Sequence, residues 1–294
     1  MSTIAFIGLG VMGLPMATNL VAAGHRVIGV NRGAVPRDAL EQAGGESTVV
    51  LAQAVREADV IITMLPDSPD VEGVMLGDGG ILAFARKNSL VIDMSSIAPA
   101  SAIHLSAAAA DRGLAIVDAP VSGGESGAIA GKLSIMVGGE PEAFGRAEPY
   151  FAALGTTVRH VGPAGAGQTV KAANQLLVAG IIGLVSEALV FLDAYSVDLE
   201  TAASVLAGGL AGNRILDQKV QGMLAHEFVP GFRLELHHKD LGNLMDAARS
   251  AGVTLPVSAV VAQLVGAANA RGNGSLDHSA LLLELEGLSA RTIA

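Results

Sequence analysis

A glycine pattern near the start of the chain limits the fold more than any other feature. The segment GLGVMG at 8–13 has the spacing GxGxxG, and it follows a short apolar run at 3–7 and precedes a helix-forming run at 14–23. Glycines at these positions permit a tight turn, approach of a phosphate to backbone amides, and close helix packing. The candidate phosphate-binding loop consists of Gly8, Leu9, Gly10, Val11, Met12 and Gly13. The alternative is a glycine turn with a structural role only.

Short apolar runs alternate with helical or turn-rich segments through the first half of the chain. This alternation predicts an α/β fold with a doubly wound, mostly parallel sheet of the Rossmann type. The predicted strands span 3–7, 26–30, 60–65, 90–94, 115–117, 133–137 and, as a last candidate, 157–161.

After Gly162 the β-branched runs give way to helical patterns. The chain has 294 residues, more than the roughly 100–200 typical of one domain. We therefore expect a dinucleotide-binding Rossmann domain at 1–162 and an all-helical substrate and oligomerisation domain at 163–294. The predicted helices of the second domain span 167–194, 198–208, 213–225, 238–251, 255–270 and 277–290.

Charge and composition exclude several classes of partner. The net charge is −10 and no Lys/Arg tract stands out, so we expect no nucleic-acid partner. The chain lacks cysteine, which fits a reducing compartment, and its N-terminus does not resemble a signal peptide. These features predict a cytoplasmic protein that acts on a small molecule.

The first predicted helix of the second domain is apolar nearly all round through its middle. Its longest continuous apolar stretch, 176–185, has ten residues, fewer than the roughly 18–20 that span a bilayer. We therefore expect no membrane partner and a helix enclosed by protein. A subunit interface in a homo-oligomer, a dimer or tetramer, would supply part of that cover, and burial within one subunit is the alternative.

The residues after the second predicted strand bear on cofactor choice. NAD-preferring sites usually carry Asp or Glu there, whereas this chain has Asn31 and Arg32. An arginine pairs well with the 2′-phosphate of NADP. We therefore expect NADP(H) to be preferred and NAD(H) to be possible, unless Arg32 is simply a solvated loop residue.

Other strand ends supply further candidates, because ligands of open α/β folds bind at the carboxyl edge of the sheet. Met64, Leu65 and Pro66 are expected to contact cofactor. Ser95 and Ser96 follow the next strand, and either could contact ligand or cap a helix.

The segment DAPVSGG at 118–124 is expected at the same edge. Ser122, Gly123 and Gly124 would offer a hydroxyl and exposed amides to a substrate carboxylate. A serine hydrolase is disfavoured because Pro120 occupies the position where a nucleophile elbow needs glycine. The nearby Gly131 and Lys132 lack Walker A spacing and are interpreted as a turn.

Lys171 is the best catalytic candidate. It lies early in a predominantly apolar helix, where desolvation would lower the pKa of its ammonium and suit it to protonate an alkoxide. Asn174, three residues later, would share its helix face and orient Lys171 or bind substrate. The alternative for Lys171 is a buried stem with its head in solvent.

A polar cluster at 237–240 leads into a later helix. Its adjacent histidines cannot share a helix face, and no carboxylate spacing completes a metal site, so no metal is expected. Lys239 could reach cofactor or substrate across an interdomain cleft, and Asp240 is a further substrate-binding candidate. Asp277 is interpreted as an N-cap of the last helix.

Taken together, these motifs resemble those of the β-hydroxyacid dehydrogenase family along nearly the whole chain. The resemblance is carried by FIGLGVMGLPMATNL at 6–20, VIITMLPDSP at 60–69, VIDMSSIAP at 91–99, DAPVSGGESGA at 118–128, KLSIMVGG at 132–139, GAGQTVKAANQ at 165–175, GGLAGNRILD at 208–217, PGFRLELHHKDL at 230–241 and LDHSAL at 276–281.

The resemblance implies an NAD(P)-dependent oxidoreductase with Lys171 as catalytic lysine and Asn174 assisting. It also implies that Ser122, Gly123 and Gly124 bind the substrate carboxylate and that Ser96 and Lys239 help hold cofactor. In many relatives the amide partner lies four residues after the lysine, where this chain has Gln175, so the roles of Asn174 and Gln175 stay open.

The segments MSSIAP and GGLAGNRILD resemble the subgroup that reduces tartronate semialdehyde to D-glycerate, a step of glyoxylate metabolism, more than the subgroup that oxidises 3-hydroxyisobutyrate. The latter activity, or oxidation of a related 3-hydroxy acid, is the alternative. A non-catalytic NADP-binding regulator is the alternative from another class.

Overall fold

The computed structural model describes residues 1–293 and divides into two compact units, Met1–Lys171 and a second that begins at Ala172. The strands are β1 (Thr3–Ile7), β2 (Arg26–Val30), β3 (Glu46–Thr48), β4 (Val60–Thr63), β5 (Leu90–Asp93), β6 (Ala115–Asp118), β7 (Val121–Ser122), β8 (Leu133–Gly139) and β9 (Gly155–Gly162). The helices of the first unit are α1 (Gly13–Ala22), α2 (Ala34–Gln42), α3 (Leu51–Glu57), α4 (Ser68–Leu76), α5 (Ile81–Phe84), α6 (Pro99–Ala110), α7 (Gly124–Ile129) and α8 (Pro141–Phe151).

The nine strands form one sheet in the order β3-β2-β1-β4-β5-β6-β8-β7, with β9 paired to β8. The strands from β3 to β6 are parallel, whereas β8 is antiparallel to β6 and β7 and parallel to β9. Strand order 3-2-1-4-5-6 is that of a Rossmann fold. The predicted fold class, a Rossmann domain followed by an all-helical domain, is confirmed.

The central strands are short apolar runs because helices cover both faces of the sheet. Ile4 and Phe6 of β1 pack into the core on one face, and Ala5 and Ile7 pack into the core on the other. All four side chains are essentially buried. Residues of β4 and β5 divide between the two cores in the same alternating way.

Several boundaries differ from the predicted ones. The strands β4 and β5 end at Thr63 and Asp93, before the predicted limits of 65 and 94. The short strands β3 and β7 were not predicted, because they have three and two residues and carry no continuous apolar run.

The helices of the second unit follow the predicted order. Helix α9 begins in the first unit and continues into the second, and the remaining helices all lie in the second. They are α9 (Ala166–Ala194), α10 (Leu199–Gly208), α11 (Arg214–Leu224), α12 (Leu234–Ser250), α13 (Pro256–Ala270) and α14 (Leu281–Leu288). Helix α12 begins four residues before its predicted start at 238. Asp277 caps the 3₁₀ turn His278–Ala280, where its carboxylate accepts from Ser279 N, rather than the last helix itself, whose N-cap is Ala280.

Helix α9 is less enclosed than its composition predicts. Leu177, Leu184 and Phe191 are 60%, 66% and 63% exposed, so complete burial within one chain is wrong. Among residues 1–293, this is the one helix whose length and mean hydropathy would allow it to cross a membrane, with 44% of its most apolar window buried in protein. A partly buried core helix meets the same criteria.

Candidate active site

The carboxyl ends of four neighbouring strands lie in one row. Ile7 pairs with Thr63, Thr63 with Asp93, and Asp93 with Asp118. The glycine loop, the Met64 to Pro66 segment, the Ser95 and Ser96 pair and the DAPVSGG segment therefore all leave the sheet at the same edge. This is the edge at which open α/β folds bind ligands.

The glycine loop is shaped to admit a phosphate close to its backbone. Gly8 has a φ of +99°, and a Cβ there would lie 2.3 Å from the carbonyl oxygen of Met64. A Cβ at Gly13 would lie 1.8 Å from the oxygen of Gly8, whereas one at Gly10 would meet only open space. The loop therefore packs tightly on the protein side and is open on the other side, which fits a dinucleotide pyrophosphate.

Asn31 connects the glycine loop to the end of β2. Its Oδ1 accepts from Leu9 N at 3.1 Å and its Nδ2 donates to Gly33 O at 3.3 Å. A carboxylate at this position could accept from Leu9 but could not donate to Gly33. The next residue, Arg32, is exposed and has no hydrogen-bond or ion-pair partner within residues 1–293, so its guanidinium is available to a ligand.

The two serines after β5 have different surroundings. Ser95 is fully buried and its Oγ accepts from Leu65 N at 2.9 Å, so it holds the end of β4. Ser96 is partly exposed at the edge. Helix α6 is capped by Ala98, which excludes the capping alternative for both serines. Met64 and Leu65 are partly buried and Pro66 is exposed.

Asp118 and Gln168 join the segments of the site, although sequence reasoning gave neither of them a role. Asp118 accepts from Gly165 N at 2.8 Å and from Gln168 N at 2.9 Å, so its carboxylate lies at the first turn of α9. The Gln168 side chain donates to Ser95 O at 2.8 Å and accepts from Ile97 N at 3.1 Å. The signal that could have revealed them is their place inside DAPVSGG and GAGQTVK, beside residues that were assigned roles.

Lys171 lies at the DAPVSGG segment. The residue is 8% exposed, and its Nζ donates to the carbonyl oxygen of Val121 at 2.8 Å. This excludes the alternative of a solvated ammonium. Ser122, the next residue, is partly exposed, and Gly123 and Gly124 have φ values of +142° and +62° that favour glycine. The structure thus brings together a buried ammonium, a hydroxyl and two glycines.

Two buried carboxylates lie behind this edge. Asp93 Oδ1 accepts from Thr63 Oγ1 at 2.8 Å and from Ser95 N at 3.2 Å, while Oδ2 has no partner within the described residues. Burial raises the pKa of Asp93 to about 6, with a smaller contribution from Asp118. Burial also raises the pKa of Asp118. Both line a cavity of about 10 Å³, room for roughly one water molecule.

In the second unit, a chain of polar contacts runs from α9 to α12. Asn174 Nδ2 donates to Gln175 Oε1 at 2.9 Å, and Gln175 Nε2 donates to Asp240 Oδ2 at 2.5 Å. Lys239 Nζ lies 2.8 Å from Asp240 Oδ1. Both oxygens of Asp240 are therefore engaged by neighbouring side chains. Gln175 and Asp240 are buried, whereas Asn174 and Lys239 are partly exposed.

The adjacent residues His237 and His238 lie on different faces of α12, as their spacing predicts. His237 is buried and His238 is exposed. No group of three or more potential metal ligands forms within residues 1–293.

Comparison with known families matches both halves of the chain. Residues 3–162 match the NAD-binding domain of 6-phosphogluconate dehydrogenase. Residues 165–285 match the family described as the NAD-binding domain of NADP-dependent 3-hydroxyisobutyrate dehydrogenase. Together the two matches cover almost the entire chain.

Individual relatives are similar over their full lengths. The chain is 40% identical to the 2-hydroxy-3-oxopropionate reductase of Escherichia coli K12 over 291 residues, 99% of each chain. It is 41% identical to the NAD-dependent L-serine dehydrogenase of Pseudomonas aeruginosa over 273 residues, 90% of this chain and 91% of the relative. The structure of Mycobacterium tuberculosis 3-hydroxyisobutyrate dehydrogenase with L-serine superposes with a TM-score of 0.87 at 35% identity, covering 97% of this chain and 99% of the other. The chain belongs to the β-hydroxyacid dehydrogenase family of NAD(P)-binding oxidoreductases.

Proposed function

We propose that this protein reduces tartronate semialdehyde to D-glycerate. The observation that carries the proposal is the buried ammonium of Lys171 held at the substrate-binding segment, with its Nζ 2.8 Å from Val121 O. The 40% identity to a 2-hydroxy-3-oxopropionate reductase over nearly the full length of both chains supports this substrate.

Lys171 is the proton donor in this proposal. Ser122 with the amides of Gly123 and Gly124 binds the substrate carboxylate, which places the aldehyde oxygen within reach of Lys171. When bound, NADPH supplies the hydride that adds to the aldehyde carbon. Lys171 then gives its proton to the aldehyde oxygen, which becomes the hydroxyl of the product.

The residues around the glycine loop would hold the cofactor. The loop from Gly8 to Gly13 would take the pyrophosphate, and Met64, Leu65, Pro66 and Ser96 would contact other parts of the cofactor. Arg32 pairs with the 2′-phosphate, which favours NADPH over NADH. Lys239 is a further contact to cofactor or substrate.

Asn174 contacts substrate in this proposal, and Gln175 orients it. The Asn174 amide donates to Gln175 Oε1, which leaves its own oxygen for the substrate. Asp240 contributes to substrate binding by holding Gln175 and Lys239, the two side chains that its carboxylate engages.

A second candidate function is oxidation of a 3-hydroxy acid such as 3-hydroxyisobutyrate or L-serine. The observation that favours it is the 41% identity to an L-serine dehydrogenase. The same Lys171 would then accept the hydroxyl proton, because the chemistry is the reverse of the reduction. Besides the direction of the reaction, the two functions differ in the substituent on the carbon chain that the site must accept.

We also propose a homo-oligomer, a dimer or tetramer, formed through the helical unit. Val170, Leu177, Leu184 and Phe191 recur every seven residues along α9 and are 39–66% exposed. A seven-residue apolar repeat is the spacing with which helices pair along a common seam. The cysteine-free sequence fits our proposal of a cytoplasmic location.

The deciding experiment measures initial rates of NADPH and NADH oxidation with tartronate semialdehyde. Reverse rates with D-glycerate, 3-hydroxyisobutyrate and L-serine are measured in parallel. Fast reduction of the semialdehyde supports the proposal, and a higher kcat/KM for 3-hydroxyisobutyrate or L-serine supports the second function. Tight NADPH binding without any turnover would contradict both and indicate a regulator.

A further inference from the structure

Two buried histidines meet behind the Asn174 and Gln175 pair. His237 on α12 and His278 in the 3₁₀ turn before α14 approach through their Nδ1 atoms, 3.0 Å apart. On its other side, His237 Nε2 lies 3.0 Å from the backbone carbonyl oxygen of Gln175. Both imidazoles are at least nine-tenths buried, and neither has a role in the proposed reaction.

The contacts of His237 determine where its proton lies. A carbonyl oxygen has no proton to give, so Nε2 of His237 must carry a hydrogen to bond to Gln175. The two Nδ1 atoms have room for only one hydrogen between them. When His237 is neutral, its Nδ1 is therefore an acceptor, and His278 must donate from Nδ1.

The charged side chains near this pair, Asp277 and Lys219, lie on the His278 side rather than the Gln175 side. Asp277 Oδ1 lies 3.9 Å from His278 Nε2, while Asp277 Oδ2 accepts from Lys219 Nζ at 2.8 Å. Burial acts to raise the pKa of Asp277, but His278 and Lys219 together lower it to about 2. The carboxylate is therefore ionised near neutral pH.

Gln175 is thus fixed to α12 at two points. Its carbonyl accepts from His237, and its side-chain amide donates to Asp240, three residues further along α12. The remaining side-chain atom, Oε1, accepts from Asn174. A rotation of Gln175 would break the Asp240 bond and release the Asn174 amide together.

We infer that the His237–His278 pair is a positioning element that fixes Gln175, and through it the amide of Asn174, for substrate binding. The inference deepens the proposed function and rests on it. His278 acts by donating its Nδ1 hydrogen, which keeps His237 in the form that donates to Gln175. Neither histidine touches the reacting atoms.

The first test needs no substrate. Long-range ¹H–¹⁵N correlation spectra of the wild-type histidine rings at about pH 8 report which nitrogen carries hydrogen. We expect hydrogen on Nε2 of His237 and on Nδ1 of His278. The opposite arrangement on either ring would overturn the inference, because His237 Nε2 could then not donate to the carbonyl oxygen of Gln175.

The second test compares two substitutions of His278. In His278→Gln an amide N–H replaces the Nδ1 donor, and in His278→Leu no donor remains. We expect kcat/KM for the semialdehyde to fall about tenfold or more in His278→Leu and to recover mostly in His278→Gln, as expected for loss and restoration of one buried hydrogen bond. NADPH affinity, measured by fluorescence titration, should stay within about twofold in both, since a positioning role has no consequence for cofactor.

His238→Gln is the matched control, because His238 is the exposed neighbour on the same helix, and it should behave as wild type. Equal losses in His278→Gln and His278→Leu, or no loss in His278→Leu, would contradict the inference. If His278→Leu fails to fold, the tautomers measured on the wild-type histidine rings by the correlation spectra test the inference instead. If the wild type turns over no substrate, the proposed function fails, and hydrogen exchange of the Gln175 side-chain amide, expected to be faster in His278→Leu than in His278→Gln, still tests the positioning role.

Discussion

Lys171 Nζ donates a 2.8 Å hydrogen bond to the carbonyl oxygen of Val121, the residue before Ser122. The ammonium on α9 is thereby fixed to β7, within the DAPVSGG segment. Asp118, three residues before Val121, bonds to the first turn of the same helix. Helix α9 and the loop before it are therefore joined to the DAPVSGG segment at two points, the end of β6 and the start of β7.

Removing the ammonium should abolish turnover while leaving the cofactor site intact. We expect Lys171→Ala to lower kcat by about 10²–10⁴-fold, the range for a lost general acid. NADPH affinity by fluorescence titration should change little. Lys87→Ala, which removes an exposed lysine at the opposite edge of the sheet, is the control. A Lys171→Ala enzyme with near wild-type kcat would remove the lysine from the mechanism.

The cofactor preference should depend on Arg32. Hydrogen bonds between charged groups contribute about 1.5–3 kcal/mol, so Arg32→Ala should raise the KM for NADPH by about 10- to 100-fold. The KM for NADH should stay nearly constant, because NADH lacks the 2′-phosphate. Arg112→Ala, at an exposed turn after α6, should change neither value. Equal weakening of both cofactors by Arg32→Ala would show that the guanidinium does not recognise the phosphate.

The buried carboxyl of Asp93 should make stability depend on pH. Its pKa is about 6 in the folded protein against 3.8 for the unperturbed group. Folding therefore favours the protonated form, and the free energy of unfolding should decrease as pH rises from about 4 through about 6. The difference corresponds to a penalty of about 2–3 kcal/mol above pH 6.

Asp93→Asn should remove most of this penalty. The new amide keeps an oxygen for Thr63 and Ser95 and puts a donor where Oδ2 now has no partner. Urea unfolding at about pH 5 and pH 8 should show a smaller pH difference and higher stability at pH 8 than wild type. Asp111→Asn, an exposed change at the end of α6, is the control. Loss of stability at pH 8 in Asp93→Asn would mean that the ionised carboxylate is required.

The exposed apolar residues of α9 should determine the oligomeric state. They are Val170, Leu177, Leu184 and Phe191. We expect wild type to sediment as a dimer or tetramer and Leu184→Glu to dissociate, because a charge would enter an apolar interface. Analytical ultracentrifugation at micromolar concentration provides the measurement. Val205→Glu, at an exposed position on α10, controls for added charge. A monomeric wild type, or a Leu184→Glu variant with unchanged mass, would reject an interface along α9.

The parts of the structure that could be predicted are those that depend on short stretches of neighbouring residues. The strands β1 and β2 match the predicted limits because an apolar run is bounded by a glycine turn or a polar residue. The burial of Lys171 could be predicted from its place in a predominantly apolar helix. Contacts between distant segments could not be predicted in this way, because nothing local specifies that Asp118 meets Gly165 or that His237 meets His278. Which residues of α9 are exposed, Leu184 among them, could not be predicted, because composition does not show which face of an apolar helix packs within its own chain.

The contact between Lys171 and Val121 also bears on how such enzymes diversify. Lys171 is the last residue of the first compact unit, so the proposed proton donor belongs to the same unit as the glycine loop. Substitutions in the helices that follow could then alter which side chain of a hydroxy acid is accepted, without disturbing the proton transfer. A lineage with this arrangement can acquire new substrates while it keeps one reaction.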